Sequence, residues 1–568
     1  GEVVKEIDEL GRTRTYSYDE QLNRTGVVQE DGTKQQILFD ESCQPLTIYD
    51  EAGGEWKREY DKRGNITASI TPLEARREYE YNRFGDLVKF RDALGNETTF
   101  EWTDTGKISS ILSPLGGKTT YLYNERNFVE EIVTEFVKLR VRYTYDDAGR
   151  IKKISEINSR NEMIGVQRFE YDDQNNLLLH VDPLGNKTSY RYAGYDKIAE
   201  IIDALGFKRQ YKYDAEERVT ELINERGESS LFEYDLLDRT IAETGFDGAK
   251  TVYQYNHADN LVYQKDALGR ETFYRHDQCG RVVNRLHSDA SSVQYSYDEC
   301  GRITQARNDR SEVTIVYDAD WRAVSETQNG QVINYVYDAE NRRISRRLNG
   351  AENISGLVEY GYDAEGNLSA VKIGGQEINY RRDLLGRLTD KLLPNGLQER
   401  FDYDVNGRLN NQKISVGGGG REIIKRGYEW NSLGNVIGIN DSLRGSRRYQ
   451  YDAVERLTRA ERIVSDPSVQ LPEEKQNLPK TSGNLPPEKR LWQADDRAGL
   501  EFGQVREIEE FQYDGDGNLL ERNSNVRGSR KFAIGRGDRL KEQEKIRYIY
   551  DAVGNLIEKR QASGESIR

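Results

Sequence analysis

A phrase of about nine residues returns along almost the whole chain at a nearly fixed interval, and that interval restricts the fold more than any other property. The phrase reads aromatic, any residue, aromatic, Asp, two residues, Gly, then Arg or Asn and an aliphatic residue. Tyr143-Thr144-Tyr145-Asp146-Asp147-Ala148-Gly149-Arg150-Ile151 is one copy. Tyr295-Ser296-Tyr297-Asp298-Glu299-Cys300-Gly301-Arg302-Ile303 and Tyr548-Ile549-Tyr550-Asp551-Ala552-Val553-Gly554-Asn555-Leu556 are others. The second aromatic of each copy marks a ruler. It runs Tyr18, Phe39, Tyr60, Tyr81, Trp102, Tyr123, and then Tyr145, Tyr171, Tyr192, Tyr213, Tyr234, Tyr255, His276 and Tyr297, mostly at steps of about 21. It continues through Tyr317, Tyr337, Tyr362, Arg382, Tyr403, Trp430, Tyr451, Tyr513 and Tyr550, with longer steps at insertions, giving about 23 units.

Each unit has a physical reading. Aromatics at i and i+2 share one face of a strand, and the residue between them points the other way. That residue is often polar, as at Glu80, Arg191, Lys212 and Glu233. Asp opens a turn by accepting from backbone amides ahead of it, and Gly supplies a left-handed position. The repeat positions that define the scaffold are thus Tyr18, Tyr60, Tyr81, Tyr145, Tyr213, Tyr234, Tyr297, Tyr337, Tyr403, Tyr451, Tyr513 and Tyr550, with Gly149, Gly301, Gly407 and Gly554. A second turn sits midway, as in Asp182-Pro183-Leu184-Gly185-Asn186 and Asp266-Ala267-Leu268-Gly269-Arg270. Each period is therefore one hairpin of two strands, about seven or eight residues each.

Such short connections force each strand onto its neighbour, and the fold class is all-β, one continuous antiparallel meander. About 46 strands at ~4.8 Å spacing make a ribbon roughly 220 Å long and ~25 Å wide. Open sheets of that extent curl. Bent into one circle the ribbon would be ~70 Å across, so it spirals around an empty lumen or packs as a narrow solenoid.

Composition agrees with a thin wall. Only 36% of the 568 residues are hydrophobic and 32% are charged, while Tyr (36) and Gly (51) abound. The net charge of −15 argues against a nucleic-acid partner and against docking on anionic membranes. No apolar run reaches the ~18 residues of a membrane span, and no signal-peptide core is present. Cys43, Cys279 and Cys300 read as buried, inert thiols. The stretch 465–503 breaks the ruler and holds half of the ten prolines, so it reads as an inserted loop between two parts of one repeat architecture, 1–464 and 504–568. The Gly417–Gly420 run reads as a hairpin tip.

No catalytic, metal or cofactor site is expected. The carboxylates recur at the turn position, where an acceptor is required structurally. His180, His257, His276 and His287 lack ligand spacing. Tyrosine ladders could stack on sugars, but cross-strand packing explains them first.

Tyr-Asp-x-x-Gly-Arg followed by an aliphatic, alternating with Asp-Ala-Leu-Gly-Arg/Asn, resembles the YD repeats of Rhs proteins along essentially the whole chain. The resemblance implies a hollow β-cocoon and a non-catalytic scaffold enclosing a C-terminal toxin domain, as in Rhs polymorphic toxins and the B/C components of Tc insecticidal toxins. It also implies synthesis in a bacterial cytoplasm, export as a type VI secretion effector, and a secretion spike, a chaperone and further shell segments as partners. The family's closing Asp-Pro-x-Gly-Leu segment is not found. Asp182-Pro183-Leu184-Gly185 imitates it but sits on the ruler as a turn, so a partial shell is expected, with cleavage site and toxin outside the chain. The alternatives are an extracellular adhesion or carbohydrate-binding repeat protein and a Tc cocoon component.

Overall fold

A computed structural model of the chain describes residues 2–349, 356–417, 420–465, 504–563 and 565–567. Among the described residues fifty strands run from β1 (Lys5–Ile7) to β50 (Ser566–Ile567), with one short 3-10 turn, Arg536–Asp538. Every strand pairs antiparallel with the next in sequence, while β1 and β50 each pair on one side alone, so the sheet stays open. The strands are shorter than expected: β20 (Lys208–Tyr213) has six residues and β21 (Val219–Ile223) has five. The missing residues are in the turns.

One turn shows why. The Asp146 amide donates to the Arg150 carbonyl at 2.9 Å, and the Gly149 amide donates to the Asp146 carbonyl at 3.0 Å. Gly149 has φ +88, and the register slips by one between Thr144 and Tyr145. This is a type I turn closed by a bulge at the left-handed residue, a pairing that matches the twist of the flanking strands. The midway turn at Asp182–Asn186 repeats the pattern, with Gly185 at φ +89.

The two faces differ. In β14 (Leu139–Tyr145) the paired aromatics Tyr143 and Tyr145 are half-buried and Thr144 between them is exposed. The opposite face is polar and laced with ion pairs. Glu200, nearly buried, meets Arg191 at 3.0 Å, while Arg142 reaches Glu131 at 2.7 Å. No large side chain among the described residues is fully buried.

The ribbon coils on itself. Arg281 bonds Asp31, 250 positions away, at 3.0 Å, and Ser113 bonds Glu365 across 252 positions. Asn406 bonds Glu156 across 250. The midway turns of a first winding therefore rest on the Tyr-Asp turns of a second, about 250 residues later. About 23 strands lie between the first of these partners, so one circuit is roughly 110 Å around and ~35 Å across. Barrels of 16–18 strands already leave a channel, so this circuit is wider than its own side chains can fill. Of the two sequence-level alternatives, the spiral is the one formed.

The thiols are a correction. Cys43 is exposed, with φ +62 at the left-handed turn position, and Cys279 and Cys300 are half-buried; all three are free. They sit in turns, which lie at the ribbon edge instead of in a core. Gly417 has φ +67 in its turn, and residues 418–419 lie outside the described residues. So does most of the Pro-rich stretch, but β43 (Leu457–Ser465) and β44 (Gln504–Tyr513) on either side of it pair directly.

Candidate functional site

The working parts of this molecule are two sets of contacts along the ribbon edge. One ties each unit to the next, and the other closes one winding on another.

The first set grows from the Tyr-Asp turn. In Asp318–Arg322, Asp318 Oδ1 accepts from the amides of Asp320 and Arg322 at 3.0 and 2.9 Å, and Oδ2 accepts from Arg322 Nε at 2.8 Å. The anchored guanidinium then reaches the following turn, donating to the Asp338 carbonyl at 2.9 Å, and lies 5.2 Å over the Tyr337 ring. The Tyr337 hydroxyl donates backwards to the Ala323 carbonyl at 2.8 Å. Arg is suited to this because its fork bonds in two directions while its plane stacks on a ring. The same stacking joins Arg150 to Tyr171, Arg218 to Tyr234, Arg281 to Tyr297, Arg387 to Tyr403 and Arg456 to Tyr513, at 4.9 to 5.2 Å.

The ruler positions share one duty. Tyr18, Tyr60, Tyr145, Tyr213, Tyr234, Tyr297, Tyr403, Tyr451 and Tyr513 all donate from the phenol to a carbonyl of the preceding unit. Tyr81 is half-buried at the same place, and Tyr550 sits beneath Arg539. Gly149, Gly301, Gly407 and Gly554 are all left-handed, with φ between +78 and +92. Three ruler residues other than tyrosine keep the bond. Trp102 and Trp430 donate from Nε1 to Leu87 and Leu409 carbonyls at 2.8 and 2.7 Å, and Arg382 donates to the Leu368 carbonyl at 3.4 Å. Arg382→Tyr is accordingly expected to change stability by less than about 1 kcal/mol, while Tyr337→Phe costs about 1 kcal/mol, both read by urea unfolding.

Titration follows from the same geometry. The Arg218 guanidinium holds Asp214 below the usual carboxylate range, and the Asn65 and Asn555 amides do the same for Asp61 and Asp551. A depressed carboxylate contributes stability above its unfolded pKa and loses it as pH falls through the folded value. Circular dichroism should therefore show the sheet melting below the ordinary carboxylate range, over a broad transition because many turns contribute. Burial pushes the phenols of Tyr234 and Tyr513 up, so each stays protonated and able to donate.

The second set is the seam between windings. Its decisive residues occupy one turn position, two after the Asp. Asp320, buried, accepts from Thr71 Oγ1 at 2.7 Å and from the Leu73 amide at 2.9 Å. Glu340 accepts from the Ala93 amide at 2.6 Å and pairs with Arg77 at 2.7 Å. Glu365 takes Ser113 Oγ, Asn406 donates to Glu156, and Asp516 takes Asn224 Nδ2 at 2.8 Å. In the first winding the equivalent residues, Gln21, Ser42, Arg63, Phe84 and Arg126, are exposed. Trp321 joins the seam from the next turn position. Its indole donates to Asp50 Oδ2 at 2.9 Å, beside the Trp56 indole at 3.0 Å, and the two rings meet edge to face at 5.3 Å. Trp321 has φ +66, the left-handed conformation that Leu22 and Cys43 take at the same turn position.

Sequence reasoning found the tyrosines and glycines and missed the seam residues. The signal available was Trp321, a bulky side chain where the repeat calls for Gly.

The described residues contain no group of His, Cys, Asp and Glu arranged to hold a metal ion. No helix among them is long and apolar enough to cross a membrane.

A family model described as Teneurin YD-shell matches residues 200–380 and 394–568, well over half of the chain. The chain belongs to the teneurin YD-shell family. Solved structures share its fold. The TcdB2-TccC3-Cdc42 structure superposes with a TM-score of 0.64 at 12% identity, covering 100% of this chain and 37% of that one. The Photorhabdus luminescens Tc holotoxin pore carrying TccC3-D651A gives 0.64 at 12%, covering 98% and 36%. In sequence, the YD shell is 26% identical over 217 residues to double-stranded DNA deaminase toxin A of Burkholderia cenocepacia, spanning 37% of this chain and 12% of that protein. It is 28% identical over 214 residues to toxin protein Tse5 of Pseudomonas aeruginosa, spanning 36% and 15%. The chain thus aligns with less than a sixth of either relative. It is a YD-repeat shell, as the repeat phrase implied.

Proposed function

We propose that this YD shell is the wall of a toxin container: a non-catalytic spiral that encloses a C-terminal toxin domain until delivery. The observation carrying this reading is the seam. A ribbon serving only for display would have no need to coil on itself with buried carboxylates aligned at one turn position. A wound, laterally latched wall with a lumen too wide to fill is suited to hold a chain out of contact with its surroundings. On this reading the repeat tyrosines and glycines are structural, 1–464 and 504–568 form one wall, and 465–503 is an insertion in it. Further shell segments complete the container. The protein is made in a bacterial cytoplasm and exported, with a type VI spike and chaperone as partners. The likeness to Tc structures supports a second reading, a cocoon component that assembles with other chains.

The test is the intact mass and protease sensitivity of the product of the complete reading frame. Fragments that co-elute, with a C-terminal piece resistant to protease until the shell is denatured, are the expected result. One uncleaved chain with no C-terminal domain sinks the container reading.

A further inference from the structure

Near one end of the seam the ion pairing fails to balance. Asp516, in the turn after β44 (Gln504–Tyr513), is 5% exposed at its side chain and faces the first winding at the turn after β21 (Val219–Ile223). Asn224 donates to its Oδ2, leaving Oδ1 buried with no donor. Glu225, across the seam, is 16% exposed; Arg209 pairs with its Oε1 at 2.9 Å, and its Oε2 is likewise buried without a donor. Glu225 packs against Gly515, the residue before Asp516, so the two donorless carboxylates face one crevice, and two ionised carboxylates have no proton with which to bond each other.

The surroundings do not supply the missing positive charge. From the first winding come Glu225, Glu228, Arg209 and Arg226; from the second come Asp514, Asp516 and Asp538. Arg226 is stretched among four carboxylates, at 3.4 Å from Glu228, 3.6 Å from Asp538, 3.7 Å from Asp514 and 3.9 Å from Asp516. The remaining cation nearby, Arg456, is committed to the Asp514 carbonyl and to its own turn carboxylate Asp452. Five carboxylates thus face two available guanidiniums in a crevice closed by Phe207 and the Gly515 backbone.

We propose that Asp516 and Glu225 share one proton across the seam, making this contact a clasp that tightens in mild acid and loosens toward neutral pH. Burial, with Glu225 beside it, pushes Asp516 up to about 6. A carboxyl raised in the folded state favours the protonated form, so the clasp is strongest below the ordinary carboxylate value and weakens as pH rises toward 6, above which it levels off. This is opposite in sign to the turn aspartates, whose contribution disappears only in stronger acid. The two windows do not overlap. The clasp is independent of what the shell encloses, because both partners belong to the wall.

The experiment is hydrogen exchange on the full chain between pH 5 and 7.5, corrected for intrinsic rates. The turns 224–228 and 514–518 are read against the turn 146–150, which lies away from the clasp. With a folded value of about 6 against 3.8 for a free carboxyl, protection of the clasp turns should fall about tenfold from pH 5 to pH 7.5, while the reference turn stays level. Asp516→Asn, neutral at every pH, should abolish this dependence and keep protection high at pH 7.5; Glu225→Gln provides the same test from the other side. Protection unchanged across the range in the natural chain overturns the proposal. So does a tenfold dependence that survives in either variant.

Discussion

Replacing Asp320 by Ala should cost about 3 kcal/mol and open the seam locally before the sheet melts. The carboxylate accepts from Thr71 Oγ1 and the Leu73 amide, both on the other winding, and is itself buried. Ala leaves the Leu73 amide facing a space with no acceptor, and the Thr71 hydroxyl loses its partner. Asp320→Asn is expected to cost only about 1 kcal/mol, because its amide oxygen still accepts from Leu73 and its NH2 donates to Thr71, a hydroxyl able to accept. Trp321, next in sequence, provides the optical readout. When the seam opens its indole leaves Asp50 and Trp56, so tryptophan emission should change at a lower urea concentration than the sheet's dichroism. Coincident transitions in the Asp320→Ala protein would mean that the seam and the sheet are one cooperative unit.

Arg322→Ala should cost about 2–3 kcal/mol, by severing the link between two consecutive units. Its guanidinium holds Asp318, the Asp338 carbonyl and Asn341, and covers the Tyr337 ring. Arg322→Lys should recover less than half of the loss, since one ammonium cannot bond Asp318, reach the next turn and stack at the same time. Double-mutant cycles with Tyr337→Phe measure how much of this belongs to the pair. A Lys variant as stable as the natural protein would show that charge alone sustains the latch.

The repeat made the hairpins legible because their determinants are local. Asp146, Gly149 and Arg150 lie within five residues, and turn chemistry of that range reads directly from sequence. Strand length was overestimated because the bulge before Tyr145 takes a residue from pairing without changing the period. The winding was not legible. Whether Asp320 meets Leu73 depends on how strongly some two dozen strands curl, and curvature is a sum of small twists that no single residue announces. Asp320, Glu340 and Asp516 therefore look in sequence like ordinary variable turn residues, the same as exposed Gln21 or Arg63. The thiols were misread for a related reason: with the core spread thin along a wall, Cys43 had no interior to enter.

The seam also sets a phase for the whole ribbon. Partners across it stand about 250 residues apart in the first part of the chain and 292 apart at Asn224 and Asp516. Tyr513 reaches its carbonyl across 56 residues where most units use 15, and that difference accounts for the stretch. Paired residues keep count, and the residues inserted between the paired strands β43 and β44 are not counted. A duplication of one 21-residue unit would thus slide every later contact by one tooth, setting each carboxylate against the wrong turn, whereas gain or loss of a full circuit would leave the mesh intact and change only the height of the cylinder. Length in such a protein should evolve in two currencies: freely in insertions between paired strands, and in whole turns of the screw within the wall.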